Sequence, residues 1–281
     1  MRVLFTILFV LLFTSCFSQQ SELIFFPKNS IRRSVILDPV ESQSSISFTR
    51  LAVNDTIKES MYIPTAIGFY KPIFLRKSSV LSEFGIDVVA LSQFGIKKAE
   101  DDPYYSAKYQ LNLLNIDFKI GLLYTIQNKS ITYRLRLYHL SSHLGDDYLL
   151  RYGYDVNGYW LNNPRNYEQF DVFMFYENEF FEYFAGTGFV VSPKPKRERL
   201  SFQGGINLNY PVSKKVYISS GLFLSSYQET GFAPSAKMSL GIDIQKEIKI
   251  LLEYYEGNMP YSVFEDIHMN YVGIGFYFSN L

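Results

Sequence analysis

The sequence predicts an all-β protein: a transmembrane antiparallel β-barrel of about twelve strands, with roughly ten or fourteen as the alternatives. Three observations lead to this fold class. The chain starts with an export signal, its later segments alternate between apolar and polar residues, and short turns alternate with long polar connections. After the signal, no apolar run approaches the roughly 18 residues that a membrane-spanning helix needs.

The first element is a secretory signal peptide over residues 1–18. Arg2 precedes an apolar run that is too short for a membrane span, and small and polar residues follow up to Ser18. Cleavage near Ser18 would remove Cys16, which is the single cysteine of the chain. The alternative is that Cys16 is kept as a lipidated N-terminus. Either way the exported chain has no disulfide, which favours a bacterial envelope protein over a small disulfide-linked secreted domain.

Composition and charge narrow the function classes. The chain has 27 basic and 27 acidic residues, so it has no excess charge to attract nucleic acid. Aromatic residues make up 17% of the chain, which suits a barrel in the outer membrane of a Gram-negative bacterium. The expected partners are outer-membrane lipids and the barrel assembly machinery; cofactor and oligomeric state are left open. The predicted organisation is residues 1–18 as signal, 19–42 as N-terminal segment and 43–281 as barrel.

Alternation is the signal for the barrel strands. In "LNIDFKIGLLY" the apolar residues Leu114, Ile116, Phe118, Ile120 and Leu122 share one face, opposite Asn115, Asp117, Lys119 and Gly121. Segments beginning near residues 200, 237 and 248 repeat the pattern. Segments of about ten residues with this alternation are typical of barrel strands with lipid outside and a polar lumen inside.

The connections between these segments differ systematically in length. Short turns fall at every second connection: "NKS" at 128–130, "EN" at 177–178, "PVSK" at 211–214 and "QKE" at 245–247. The other connections are longer and polar. This asymmetry is typical of outer-membrane barrels, whose periplasmic turns are short. It predicts strands near residues 43–52, 62–75, 81–96, 248–256 and 268–280, among others.

One predicted strand, "ITYRLRLYHLSSH", contains two of the three histidines. Its period of two places His139, Ser141 and His143 on the lipid-facing row, and Arg134 and Arg136 in the lumen. Same-face neighbours stand about 6.6 Å apart at Cα, so His139 could take the proton of Ser141, as in serine hydrolases. The row therefore predicts a catalytic pair near the outer rim.

A third residue is needed to orient the imidazole of His139. Glu168 lies on the outward face of the next strand and is the first candidate. Asp146 and Asp147, or Asp155 and Asn157, are alternatives from the intervening loop. The competing hypothesis is a metal site formed by His139, His143, Asp146 and Asp147. The alternative without a catalytic role is that these polar residues lie where the strand leaves the hydrocarbon core of the membrane.

The outward His-x-Ser row resembles outer-membrane phospholipase A and the outer-membrane lipid A deacylase. That resemblance covers only these residues, and it implies attack on lipid esters of the outer leaflet. Both families usually follow the serine with asparagine, where this chain has Ser142. The runner-up is a barrel with no enzymatic activity, either structural or a narrow pore. In the lumen, Asp117, Lys119, Arg134 and Arg136 are expected to form a buried ion-pair network.

Over a longer span the chain is similar to an uncharacterised family of outer-membrane barrels. The matching pieces, within residues 24–281, are "FFP", "LDPVESQ", "LLNIDFKIGLLYT", "RLRLYHLSSHLGDDYLLR" and "EYYEGNMPYSVF". This resemblance implies a fold and a location, and no established activity.

Overall fold

The structure is a computed structural model that describes residues 21–52, 59–98, 108–145, 166–192, 198–259, 264 and 267–278. The predicted signal peptide with Cys16 lies outside the described residues. So do the loop alternatives Asp146, Asp147, Asp155 and Asn157. No helix in the described ranges is long and apolar enough to cross a membrane.

Strands dominate the described chain. They are β1 (Glu22–Phe25), β2 (Ser44–Leu51), β3 (Met61–Lys77), β4 (Leu81–Lys98), β5 (Tyr109–Asn128), β6 (Ile131–Leu144), β7 (Asn166–Glu177), β8 (Phe181–Val190), β9 (Leu200–Pro211), β10 (Val216–Tyr227), β11 (Pro234–Ile244), β12 (Ile248–Asn258) and β13 (His268–Phe278). One short 3-10 helix spans Gln228–Thr230. Neighbours from β2 to β13 pair antiparallel, and β13 pairs with β2, which closes a barrel of twelve strands.

The predicted fold is confirmed, including the strands expected near residues 43–52 and 62–75. The short turns end β5, β7, β9 and β11 where the sequence places them, and they all lie at one end of the barrel. We call this the short-turn end. Aromatic side chains gather there on the outer face, with the rings of Tyr176 and Tyr183 stacked at 6.4 Å and those of Phe180 and Tyr210 at 5.1 Å.

The two faces of each strand are chemically distinct, as the alternation predicts. On β6, Arg134 and Arg136 are fully buried in the lumen, whereas Ile131 and Tyr133 are exposed on the outer face. Leu114 is an exception, because the sequence assigns it to the outer face and the structure buries it in the lumen. Gln93 pairs with Asn115 and Phe94 with Leu113, so Leu114 is the extra residue of a bulge that reverses the side-chain alternation.

The N-terminal residues complete one edge of the wall and also fill the lumen. β4 pairs with one edge of β3. The other edge of β3 is shared: β1 pairs with its residues 74–77, and β2 pairs with its residues 61–66. Between β1 and β2 the chain leaves the wall. Residues 30–43, which we call the lumen segment, lie inside the barrel and bury Val35 and Leu37.

Ion pairs of Asp38 and Glu41 hold the lumen segment against β6. Glu41 lies 3.0 Å from Arg134 and 3.6 Å from Arg136. Arg136 also contacts Asp38 at 3.4 Å and, on β7, Asp171 at 2.7 Å. The predicted network is therefore present, but the partners come from the lumen segment and from other strands. Asp117 accepts a hydrogen bond from Asn115, and Lys119 pairs with Asp87 at 2.9 Å.

Apolar side chains fill the opposite half of the lumen. Met259 and Phe264, from the connection between β12 and β13, are each 1% exposed and join a cluster that includes Tyr62, Tyr271 and Val40 of the lumen segment. The described residues thus occupy part of the lumen in both halves.

Candidate functional site

The outward histidine row lies in the second half of β6. Backbone pairing sets its neighbours: His139 stands directly opposite Glu168 on β7, and Ser141 directly opposite Asn166. On the other side, β5 places Ile120 beside His139 and Phe118 beside Ser141. The site is thus built on three adjacent strands whose register is fixed by backbone hydrogen bonds.

His139 and Glu168 contact one another, as the sequence analysis proposes. Nδ1 of His139 lies 3.1 Å from Oε1 of Glu168, and the side chains are 41% and 44% exposed on the outer face. The contact uses Nδ1, which leaves Nε2 as the ring nitrogen for proton transfer. A carboxylate in this position fixes the orientation and the tautomer of an imidazole.

Ser141 has a different hydrogen-bond partner from the one expected. Its Oγ lies 3.1 Å from Nε2 of His143, the next outward histidine along the strand. The ring of His143 meets the ring of Phe118 edge-on at 6.0 Å. Ser141 therefore lies between two imidazoles on one face, with His139 held by Glu168 and His143 in contact with the hydroxyl.

This polar row borders a broad apolar surface. Phe118 and Ile120 are 48% and 54% exposed on β5, and Leu137 and Phe170 stand opposite each other on β6 and β7, next to the His139 and Glu168 pair. A nucleophile and a base beside exposed apolar side chains can meet an ester whose acyl chain lies along the barrel wall.

The metal hypothesis gains no support from the described residues. They contain no group of three or more His, Cys, Asp or Glu side chains that could hold a metal ion. Two of the four proposed ligands, Asp146 and Asp147, lie outside the described chain.

Sequence reasoning missed two features of this region. Spacing alone cannot decide between His139 and His143 as partners of Ser141, because they lie symmetrically two residues away on the same face. It also missed the entry of Asp38 and Glu41 into the lumen. The sequence signal for this entry is the pair of carboxylates in "LDPVESQ", which precedes the first long strand. These carboxylates could neutralise the two arginines, Arg134 and Arg136, that the sequence places in the lumen.

Solved structures of similar fold are outer-membrane phospholipases. Outer membrane phospholipase A from Escherichia coli has a TM-score of 0.57 and 11% identity, with 89% of this chain and 99% of that chain covered. The Salmonella typhi outer membrane phospholipase, a dimer with bound calcium, has the same values: TM-score 0.57, 11% identity, 89% and 99% coverage. At this identity the likeness establishes the barrel fold alone.

Sequence comparison gives the family. None of the curated proteins matches this chain in sequence. One family model matches residues 22–279, which include every strand and the lumen segment. The chain therefore belongs to the family described as "Protein of unknown function (DUF1207)".

Proposed function

We propose that the protein is an outer-membrane β-barrel that hydrolyses lipid esters of the outer leaflet, with Ser141 as nucleophile, His139 as base and Glu168 as the residue that orients the base. The fold supports a membrane location, because the outer face of a closed barrel presents an apolar band to lipid. Export through the signal peptide at residues 1–18 is part of the same proposal.

The observation that carries the proposal is the contact between His139 and Glu168 on the outer face. A contact this exposed contributes only about 0 to 1 kcal/mol to stability, so stability gives little reason to place it there. A carboxylate and imidazole pair can activate a hydroxyl nucleophile within hydrogen-bond reach, and Ser141 stands two residues from His139 on the same face.

The reaction follows from these positions. Nε2 of His139 takes the Ser141 proton as Oγ attacks the ester carbonyl, and the imidazolium then protonates the departing alcohol. Water, activated by the same imidazole, releases the fatty acid from the acyl-serine and restores the hydroxyl. This route requires Oγ of Ser141 to turn from His143 toward His139 when substrate binds.

The test is fatty-acid release from phospholipid or lipid A by protein in detergent micelles. Ser141→Ala should abolish release, and His139→Ala should be about as damaging because triad members act as a unit. Glu168→Gln should cost less. His143→Ala is the matched control, since it removes an imidazole from the same row at the same spacing, and it should retain most of the activity. Acidification should lower the rate, since a protonated imidazole cannot accept the serine proton.

Two outcomes would reject this assignment. If His143→Ala abolishes release while His139→Ala does not, the base is assigned to the wrong histidine. If wild type and Ser141→Ala protein show the same lipid profile in cells and no release in vitro, the barrel is not a lipid esterase. In each variant, the shift in gel mobility between unheated and boiled samples should confirm that the barrel is folded.

A further inference from the structure

The lumen wall carries polar side chains in both halves, beside the apolar cluster around Phe264 and a second apolar cluster around Phe173. Besides the ion pairs, it carries buried polar atoms without a hydrogen-bond partner among the described protein residues, among them Oγ1 of Thr125, Oε1 of Gln203 and Oδ1 of Asp243. Leaving such an atom unsatisfied is destabilising, so in native proteins these atoms are normally bound to water. Water is therefore expected at these polar positions of the wall.

The lumen segment is held by polar contacts and by the packing of Val35 and Leu37 in the apolar cluster around Phe173. Glu41 and Asp38 bind arginines of β6, Ser42 donates to Asp87 at 2.5 Å, and Ser30 donates to Glu83 at 2.6 Å. Water and free ions can replace the polar contacts, so the apolar packing of Val35 and Leu37 is the part of the attachment that withdrawal must break.

Both attachments of the segment lie at the short-turn end. Before it, Phe26 donates its backbone N–H to Ile73 beside β1, near the end of β3. After it, Ser44 starts β2 opposite Phe278, the last residue of β13. Since β3 and β13 both run toward that end, the segment can leave through the same mouth without breaking a strand pairing of the wall.

Space for this movement already exists beside the segment. A cavity of about 510 Å³ lies between it and strands β8 to β12, and Arg33, Leu37, Asn209 and Lys249 are among its lining residues. The segment thus occupies one side of the lumen's short-turn half.

We propose that the lumen is a hydrated conduit for small ions, which the lumen segment closes by insertion and opens by withdrawal toward the short-turn end. This activity is independent of the lipid-facing site, because the two lie on opposite faces of β6. Arg134, whose carboxylate partner Glu41 belongs to the segment, would then face the open conduit.

The experiment is ion conductance of purified full-length protein in planar bilayers bathed in potassium chloride. Wild type should show no discrete openings. Two variants should conduct: one with residues 29–42 replaced by a flexible Gly and Ser linker, and the full-length Asp38→Asn, Glu41→Gln protein. The chain on either side of the linker lies beside Phe74 and Gly68 of β3, which are about 20 Å apart along the strand. A linker of about eight residues suffices to span this distance.

A reversible lock provides the matched control. An added Cβ at Gly221 would lie 2.9 Å from Cδ1 of Leu37, so Leu37→Cys with Gly221→Cys, in a Cys16→Ser background, can tie the segment to β10. In the Asp38→Asn, Glu41→Gln protein, oxidation of this pair should abolish the openings and reduction should restore them.

The apolar cluster around Phe264 lies in the other half of the lumen and requires one further variant. If the linker variant conducts only when Phe264→Ala is added, the conduit is supported and the cluster is a second constriction. If folded linker protein stays silent with and without Phe264→Ala, or if oxidation leaves the openings unchanged, the proposal is overturned.

Discussion

Glu41 is the residue at which the charges of the lumen converge. Its carboxylate is fully buried and contacts Arg32, Arg134 and Arg136. Burial alone would raise its pKa, but these guanidinium groups together hold the pKa of Glu41 well below its ordinary value of 4.5. For Asp38, nearby in the segment, burial outweighs Arg136 and raises the pKa. One carboxylate therefore stays ionised to a much lower pH than the other.

Glu41→Gln should destabilise the folded barrel by about 3 to 5 kcal/mol, because it leaves buried guanidinium groups without their carboxylate. Urea unfolding in detergent, followed by gel mobility, measures the change. Glu22→Gln is the control, since it breaks an exposed pair with Lys77 at 3.4 Å and should leave the midpoint unchanged. Equal midpoints for Glu41→Gln and wild type would show that the lumen arginines need no partner from the segment.

The same pair of proteins should differ in acid. Between the lowered folded pKa of Glu41 and 4.5, the unfolded chain binds a proton that the folded chain does not. The stability contributed by Glu41 is therefore fully present above that range and is lost as the pH falls through it. Glu41→Gln should remove this part of the acid sensitivity. If the stability difference between the two proteins stays constant from neutral pH to about pH 3, the linkage is absent.

At the scale of elements, strand faces could be predicted well and strand irregularities could not. A period of two assigns Leu137 outward and Arg136 inward from the sequence alone, and the structure agrees. The bulge at Leu114 reverses the assignment of one residue, because a bulge depends on pairing with β4 and has no local sequence requirement in "LLNID". Pairing also decides that Glu168 is the residue opposite His139, which no single-strand pattern contains.

Single cysteines should distinguish the two faces of β6 and β7. Leu137→Cys and Val172→Cys, on the outer face, should react with a lipid-phase maleimide in bilayers. Thr132→Cys and Ser142→Cys, each 2% exposed in the lumen, should not. Mass shift of the labelled protein gives the measurement. Labelling of the lumen pair without the outer pair would place His139 and Ser141 inside the barrel and exclude a lipid substrate.

At the scale of the whole molecule, alternation and turn lengths were enough to predict the barrel and its strand count. They could not predict what fills it, since the segment before β2 has no strand period and its position depends on charges that lie far away in sequence, such as Arg134. The histidine pair was found from spacing, but the partner of Ser141 depends on side-chain rotamers.

The mature protein should begin near Gln19 and fractionate with the outer membrane. The reason is that the predicted signal has an apolar stretch too short to anchor the chain and is expected to be removed on export. Mass spectrometry of the N-terminal peptide measures this directly. An acylated Cys16 at the N-terminus would instead establish lipidation and contradict cleavage near Ser18.

The split edge of β3 has a consequence for how the barrel comes apart. β2 makes four residue pairs with β3 and eight with β13, whereas longer ladders such as that between β4 and β5 join the rest of the wall. Pairing β2 with β13 also brings together residues more than two hundred positions apart in the chain, which carries the greatest loop-closure entropy cost in the fold. Among the twelve strands that close the barrel, the backbone amides of β2 should therefore be the first to exchange with solvent, and lateral opening should begin along β2.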